Sequence, residues 1–170
     1  PVSVLKDLSF CVERSRHIVL LGQNGSGKSS LLRLLQGELR PSPPSIEHNA
    51  PAAARAVSAG KIIWNFQGNE ESSVLAAREH VRLVSSEQQA NYVRRAWNIS
   101  GEELLLSGLD NAPMLYGEVS SEYVAAAERL AREAGASALL GMRAPAMSQG
   151  QLRLMLILRS LMSERRISMS

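Results

Sequence analysis

The stretch "GQNGSGKS", residues 22–29, decides how the rest of the chain is read. Gly22, Gly27, Lys28 and Ser29 match the spacing G-x-x-x-x-G-K-[ST] in full. Asn24, Gly25 and Ser26 complete a tight loop between the two end glycines. Glycines let a backbone curl until several amides point at one anion. A helix that begins near Lys28 adds the positive end of its dipole, through Ser29 and Ser30. The Lys28 ammonium suits the β- and γ-phosphates, and the Ser29 hydroxyl suits Mg²⁺. This is a cradle for a nucleotide triphosphate. A guanine reader would carry an Asn/Lys-Asp element late in the domain, and none is present, so ATP is the expected nucleotide.

The flanks supply the context that such a loop needs. "HIVLLG", residues 17–22, is an apolar run of strand length that stops at a glycine. After the loop, Leu31, Leu32, Leu34 and Leu35 fall at helical spacing, with Gly37 as the stop and "RPSPPS" beyond it. Upstream, Leu8, Phe10 and Val12 alternate with Ser9 and Cys11 and predict a strand over 8–12, and "ERSR" predicts a turn. Further on, "KIIWNFQ" predicts a strand with Ile62 and Trp64 facing inward, and residues 81–84 predict another, followed by a polar break. "NYVRRAW" predicts the start of a helix, and "GEELLLSGLDNAPMLYGE" a mixture of short helix and loop. A clearer helix is predicted over about 122–134, with Tyr123, Ala126, Ala127, Leu130 and Ala134 on one face and Gly135 at its end.

Bulk properties narrow the field. The chain has 170 residues, enough for one ordinary domain, and 45% are hydrophobic. The net charge of +3 is too small to imply a nucleic-acid partner, and no aromatics interleave the basic residues as a stacking platform would require. Cys11 is the single cysteine, which excludes an internal disulfide and is expected to be a small buried hydrophobe. His17, His48 and His80 show no ligand spacing, so no zinc site is expected. No apolar run is long enough to span a bilayer, and the start shows no signal-peptide pattern. The location expected is therefore the cytoplasm or an organelle matrix, either free or peripheral to a membrane.

A second motif lies late in the chain, at "MSQGQLRLMLILRSLMSE", residues 147–164. Ser148 with Gln151 three residues on forms a capping box, in which each side chain satisfies an orphan amide. Leu152, Met155, Leu156, Leu158 and Leu161 surround much of the helix, which is expected to be mostly buried. Gly150 in the first turn costs helix propensity, about 1 kcal/mol. That cost is explained if an anion approaches the helix start closely, and ordinary structure is the alternative.

Together, the two motifs resemble the ATP-binding cassette (ABC) family. "VLKDLSFCVERSRHIVLLGQNGSGKSSLLRLLQGEL", residues 4–39, is similar to the family's opening. "MSQGQLRLMLILRSLMSE" is similar to its signature motif and helix, with Gln149 where a glycine is usual. "LVSSEQQ", residues 83–89, is similar to the ModF-like, or photorepair, subgroup related to molybdate proteins. The resemblance implies an α/β P-loop NTPase fold, with a RecA-like core and a helical subdomain. It implies one incomplete domain over 1–170, with the core in 1–89, the helical subdomain in 90–150 and the signature helix in 148–163. It implies ATP and Mg²⁺ as ligands, and Gln88 as the glutamine that meets Mg²⁺ and the surroundings of the attacking water. Gln89 and Gln67 are the alternatives for that role. It implies that Ser148, Gly150 and Gln151 face the γ-phosphate held by a second cassette, in a head-to-tail sandwich of two nucleotides. A membrane subunit is compatible with the family. DNA repair, translation and metal-cluster assembly are as well.

The family's hydrolytic acids, an Asp and a Glu ending an apolar strand after the signature helix, are not found, nor is the switch histidine beyond them. "LLLSGLD", residues 104–110, lacks a following acid and is read as structure. The aromatic that stacks on adenine is expected ahead of Pro1. The chain is thus expected to be most of a cassette, cut at both ends, that binds ATP weakly and hydrolyses it poorly while its parent is an ATPase. Two other readings stay open: a non-catalytic cassette-like interaction domain, and a P-loop protein of another class such as a GTPase or kinase.

Overall fold

The computed structural model describes residues 5, 8, 10–13, 16–40, 62–66, 68–95 and 97–169. The chain divides into two compact units, Pro1–Val81 and Arg82–Ser170.

In the first unit, α1 spans Lys28–Leu35 and buries Leu31. Gly37 (φ 77°) ends it, as expected, and the Glu38 amide turns back to the Arg33 carbonyl at 2.8 Å. Two short strands, β1 (Trp64–Phe66) and β2 (Asn69–Glu71), form an antiparallel hairpin with Trp64 opposite Glu71. Trp64 is buried and Ile63 exposed, the alternation the sequence predicts. The β2 strand is not foreseen, because "NEE" has no apolar alternation, and it exists only through pairing with β1. The Trp64 indole donates to the Leu35 carbonyl at 3.0 Å and so ties the hairpin to the end of α1. Helix α2 (Val74–His80) packs on the same place: a methyl on Gly37 would lie 2.7 Å from a Val74 methyl, and Arg78 donates to the Gly37 carbonyl at 3.1 Å.

Among the described residues of the expected strands over 8–12 and 17–22, none is in a strand. Leu8, Phe10, Val12 and Ile18 are exposed, as are Val19 (77%) and Leu21 (88%). A strand is a non-local element that needs a ladder partner, and a parallel strand needs covered faces as well. Among the described residues, neither run has such a partner. The sheet of the RecA-like core is therefore not assembled among them, and the hairpin is their one sheet. Cys11 is exposed rather than the buried hydrophobe expected. At the ends of "ERSR", the Arg16 amide donates to the Glu13 carbonyl at 3.2 Å, while residues 14 and 15 lie outside the described residues. The proline-rich stretch, the alanine-rich segment after it and Gln67 lie outside the described residues.

The second unit is helical. Residues 81–84 are half-buried but not a strand, and the polar break after them opens a helix. This helix, α3, spans Ser86–Arg94, so "NYVRRAW" ends a helix rather than starting one. The Ser85 hydroxyl accepts from the Gln88 amide at 3.1 Å and caps it. Next come α4 (Gly101–Leu106), α5 (Ser121–Glu133), helical turns at Ser137–Leu139 and Ala144–Ala146, and α6 (Gln149–Met169). A full capping box opens α4: Ser100 Oγ accepts from the Glu103 amide at 3.1 Å, and Glu103 accepts from the Ser100 amide at 2.6 Å.

The core of this unit gathers around α4. Leu104, Leu105 and Leu106 are buried against Ala126, Ala127 and Leu130 of α5, and against Leu152, Met155, Leu156 and Leu158 of α6. Each leucine so buried contributes about 1.5–3 kcal/mol. "LLLSGLD" is thus core structure, as read. Leu161 is exposed, a departure from the face expected for α6. Gly108 permits the close approach of the segment after α4 to α6, since a Cβ there would fall 2.1 Å from the Arg159 carbonyl oxygen.

Among the described residues, one charge lies inside. Arg159 is 4% exposed and donates to Ser107 Oγ at 3.0 Å and to the Ala112 carbonyl. The neighbouring Tyr92 hydroxyl donates to the Pro113 carbonyl at 2.7 Å. Burial pushes the Tyr92 hydroxyl pKa up, and Arg159 and Ser107 partly offset that. Burial lowers the Arg159 pKa, against the pull of Tyr92. These bonds staple the 107–113 segment to α3 and α6. No helix among the described residues is long and apolar enough to cross a membrane.

Candidate functional site

The loop before α1 has the shape its glycines allow. Gly25 (φ 84°) and Gly27 (φ 88°) sit in the left-handed region, where a side chain would be strained. This brings the chain round so that Lys28 folds back over it. The Lys28 ammonium donates to the carbonyls of Gly22 at 2.8 Å and Gln23 at 2.7 Å, and reaches Ser26 Oγ at 3.3 Å. Those carbonyls hold the cation at the rim of the loop. Asn24, Gly25, Ser26 and Ser29 are exposed, Ser30 is half-buried, and Gly27 is buried. No side chain caps α1, and its first turn holds no acid. The opening amides of a helix have no acceptor within it, so this end is chemically open to an anion. The donor set fits a phosphate chain: a helix end, an ammonium, and the Ser29 hydroxyl at the mouth.

The signature segment lies in the second unit. Its capping box is formed in both directions: Ser148 Oγ accepts from the Gln151 amide at 3.2 Å, and Gln151 Oε1 accepts from the Ser148 amide at 2.8 Å. Gly150 is exposed, and nothing lies within 4 Å of where a Cβ would project. Its missing side chain is thus not required by any neighbour among the described residues.

Gln88 lies in the first turn of α3, not in a loop after a strand, because Ser85 starts the helix ahead of it. Its Oε1 is buried with no hydrogen-bond partner among the described residues, an unusual state for an amide oxygen. Gln89, one of the alternatives, is engaged: its Nε2 donates to the Gln149 carbonyl at 2.8 Å. Beside it, Arg153 of α6 donates to Ser86 Oγ at 2.9 Å. The structure therefore joins the opening turns of α3 and α6 through Gln89, Gln149, Ser86 and Arg153. The loop residues 22–30 belong to the first unit, and Gln88, Ser148, Gly150 and Gln151 to the second. The Ser86–Arg153 and Gln89–Gln149 bonds are not legible in the sequence, since the partners lie about 60 residues apart. The Ser85-x-x-Gln88 spacing does carry a capping signal that places the start of α3.

Comparison with known proteins bears on the same segments. Residues 5–169 match the family described as ABC transporter. The chain is 33% identical over 160 residues to the uncharacterized ABC transporter ATP-binding protein YmeB of Lactococcus lactis subsp. lactis (strain IL1403). That alignment covers 93% of this chain and 54% of the relative, so the chain spans about half the length of YmeB. No solved structure matches it significantly. With a match that takes in both the glycine loop and the capped Ser148 helix, the chain belongs to the ABC transporter family and is an ATP-binding P-loop domain of the α/β class.

Proposed function

We propose that the chain is the nucleotide-binding domain of an ABC-type ATPase, one cassette of a head-to-tail pair. Gly22, Asn24, Gly25, Ser26 and Gly27 wrap the phosphates, Lys28 neutralises them, and Ser29 and Ser30 open the helix toward them. Ser29 would hold Mg²⁺, and Gln88 is the glutamine that the family resemblance assigns to that ion. The bound cation would supply charge neutralisation for the triphosphate. Ser148, Gly150 and Gln151 face the γ-phosphate of the nucleotide in the partner cassette. The observation that carries this reading is the loop itself: a helix end without a side-chain cap, with an ammonium drawn back against it. The single domain is divided into a core over 1–89, a helical subdomain over 90–150 and the signature helix over 148–163.

The whole protein, by the same reading, is an ATPase that couples hydrolysis to transport or to another task in the cytoplasm or an organelle matrix. A membrane subunit is its partner if the task is transport. "LVSSEQQ" supports the ModF-like subgroup. Hydrolysis by these 170 residues alone is slow. The only aspartates are Asp7 and Asp110, and neither is followed by a glutamate, so no Asp-Glu pair is at hand to orient water. A second reading, an interaction domain that keeps the cassette surface without turnover, is favoured by Gln149 in place of the usual glycine.

Titration with Mg-ATP, followed by Trp64 and Trp97 fluorescence, tests the binding. A saturable response is expected, and Lys28→Ala should weaken it at least tenfold while the far-ultraviolet circular dichroism is kept. An unchanged response in Lys28→Ala would refute the site. GTP displacing ATP at equal concentration would show that the loop does not select adenine and would overturn the assignment of ATP as its nucleotide. A complex with a partner that survives Lys28→Ala and needs no ATP would favour the interaction domain.

A further inference from the structure

Two hydrogen bonds join segments that the proposed function uses separately. Gln89 Nε2 donates to the carbonyl of Gln149, the residue between Ser148 and Gly150, at 2.8 Å. Arg153 Nη2, one turn further along α6, donates to Ser86 Oγ at 2.9 Å. The two bonds span the opening turns of α3 and α6 like two rungs. Gln88, with its buried and unpartnered Oε1, lies between Ser86 and Gln89. Ser148, Gly150 and Gln151 lie around Gln149.

We propose that Gln89 and Arg153 are positioning residues that lock the Ser148–Gln151 turn to the first turns of α3, so that it meets the partner's nucleotide as a fixed element. This inference rests on the proposed function for the identity of the ligand, but the lock is a property of this chain's own atoms. Gln89 and Gln88 then have different tasks, though they are neighbours of the same type. The amide of Gln89 is spent on the Gln149 carbonyl, whereas the oxygen of Gln88 is buried without a partner among the described residues. Gln149 gains a reason as well. Its carbonyl carries the rung while its side chain is exposed, so the residue that departs from glycine costs the lock nothing.

Both rungs are solvent-accessible, and neither Gln89 nor Arg153 belongs to the buried core of the unit. Removing them should therefore leave folding intact and loosen only the geometry between the two turns. Since Ser148 and Gly150 act on the nucleotide of a second copy, the loss should appear in association of two chains. It should not appear in the binding of ATP to the chain's own loop.

The test uses the full chain. Mg-ATP affinity is read by tryptophan fluorescence, and ATP-dependent association by analytical ultracentrifugation. In Arg153→Ala and Gln89→Ala, the association constant should fall about fivefold each, in line with the loss of one solvent-exposed hydrogen bond, while the affinity for ATP and the melting temperature stay as in the wild type. Arg153→Lys, which keeps a donor in reach of Ser86, should recover most of the loss. Ser86→Ala combined with Arg153→Ala should be no worse than either alone. Variants that associate as the wild type does would overturn the proposal. So would variants that lose ATP affinity and melting temperature together, since that marks a general structural role. Hydrogen exchange gives an arm that needs no partner: the amides of Gln151 and Leu152 should exchange faster in Arg153→Ala, with those of Leu104 and Leu105 unchanged. Unchanged exchange at Gln151 and Leu152 would remove the lock. A wild type that binds Mg-ATP but stays monomeric would instead refute the two-cassette reading, whatever the exchange result.

Discussion

Lys28 and Gly150 show how differently single residues declare themselves. Lys28 is legible in the sequence because its chemistry and spacing leave few other uses, and the structure places its ammonium on the loop carbonyls. Gly150 is ambiguous in the sequence, where a glycine in a first turn is either a defect or an opening. Its surroundings are open, so no packing demands it. This yields a prediction in which stability and function move in opposite directions. Gly150→Ala should raise helix propensity by about 0.5–1 kcal/mol and the melting temperature by about 2–4 °C. If a phosphate approaches there, the same methyl should weaken ATP-dependent association. A calorimetric melt and a sedimentation titration on one sample would read both. Gln88, expected in a polar break after a strand, lies in the first turn of α3, because Ser85 caps a helix ahead of it.

Among the elements, α1, α5 and α6 follow their local signals, whereas of the expected strands only "KIIWNFQ" forms one among the described residues, as β1. The helix α1 ends at Gly37, α5 fills its predicted face, and α6 opens on its capping box. These outcomes depend on residues three or four apart. The start of α4 obeys the same rule through Ser100 and Glu103. The hydrogen bonds from Ser100 hold the Glu103 carboxyl below its usual pKa, the bond from the backbone amide foremost, with Arg143 helping. A group with a depressed folded pKa stabilises fully above its unfolded value of about 4.3 and loses that contribution as pH falls through the folded value. Stability should therefore fall on acidification below about pH 4.3, and Glu103→Gln should lack this component. Urea midpoints at pH 7 and pH 3 would check it: the gap between wild type and Glu103→Gln should close at the lower pH. The carboxylate is partly exposed, so the effect is small.

Across the whole molecule, packing is uneven. The second unit has a continuous core of leucine, alanine and methionine around α4, closed by the buried Arg159 network. In the first unit, the run 17–22 shows its apolar side chains to solvent. Native-state hydrogen exchange should report this directly. Amides of Ile18, Val19, Leu20 and Leu21 should exchange quickly, and those of Leu152, Met155 and Leu156 most slowly. Equal protection in the two sets would contradict the arrangement. The glycine loop, the ends of α1 and α5, the start of α6 and the family were readable from residues close together along the chain, because turns, caps and helical faces are settled within a few residues. The fate of the 8–12 and 17–22 runs, the β2 strand, the exposure of Cys11 and the bonds of Gln89 and Arg153 were not readable. Each of them hangs on a partner distant in the chain, and pattern alone does not state whether that partner is in place.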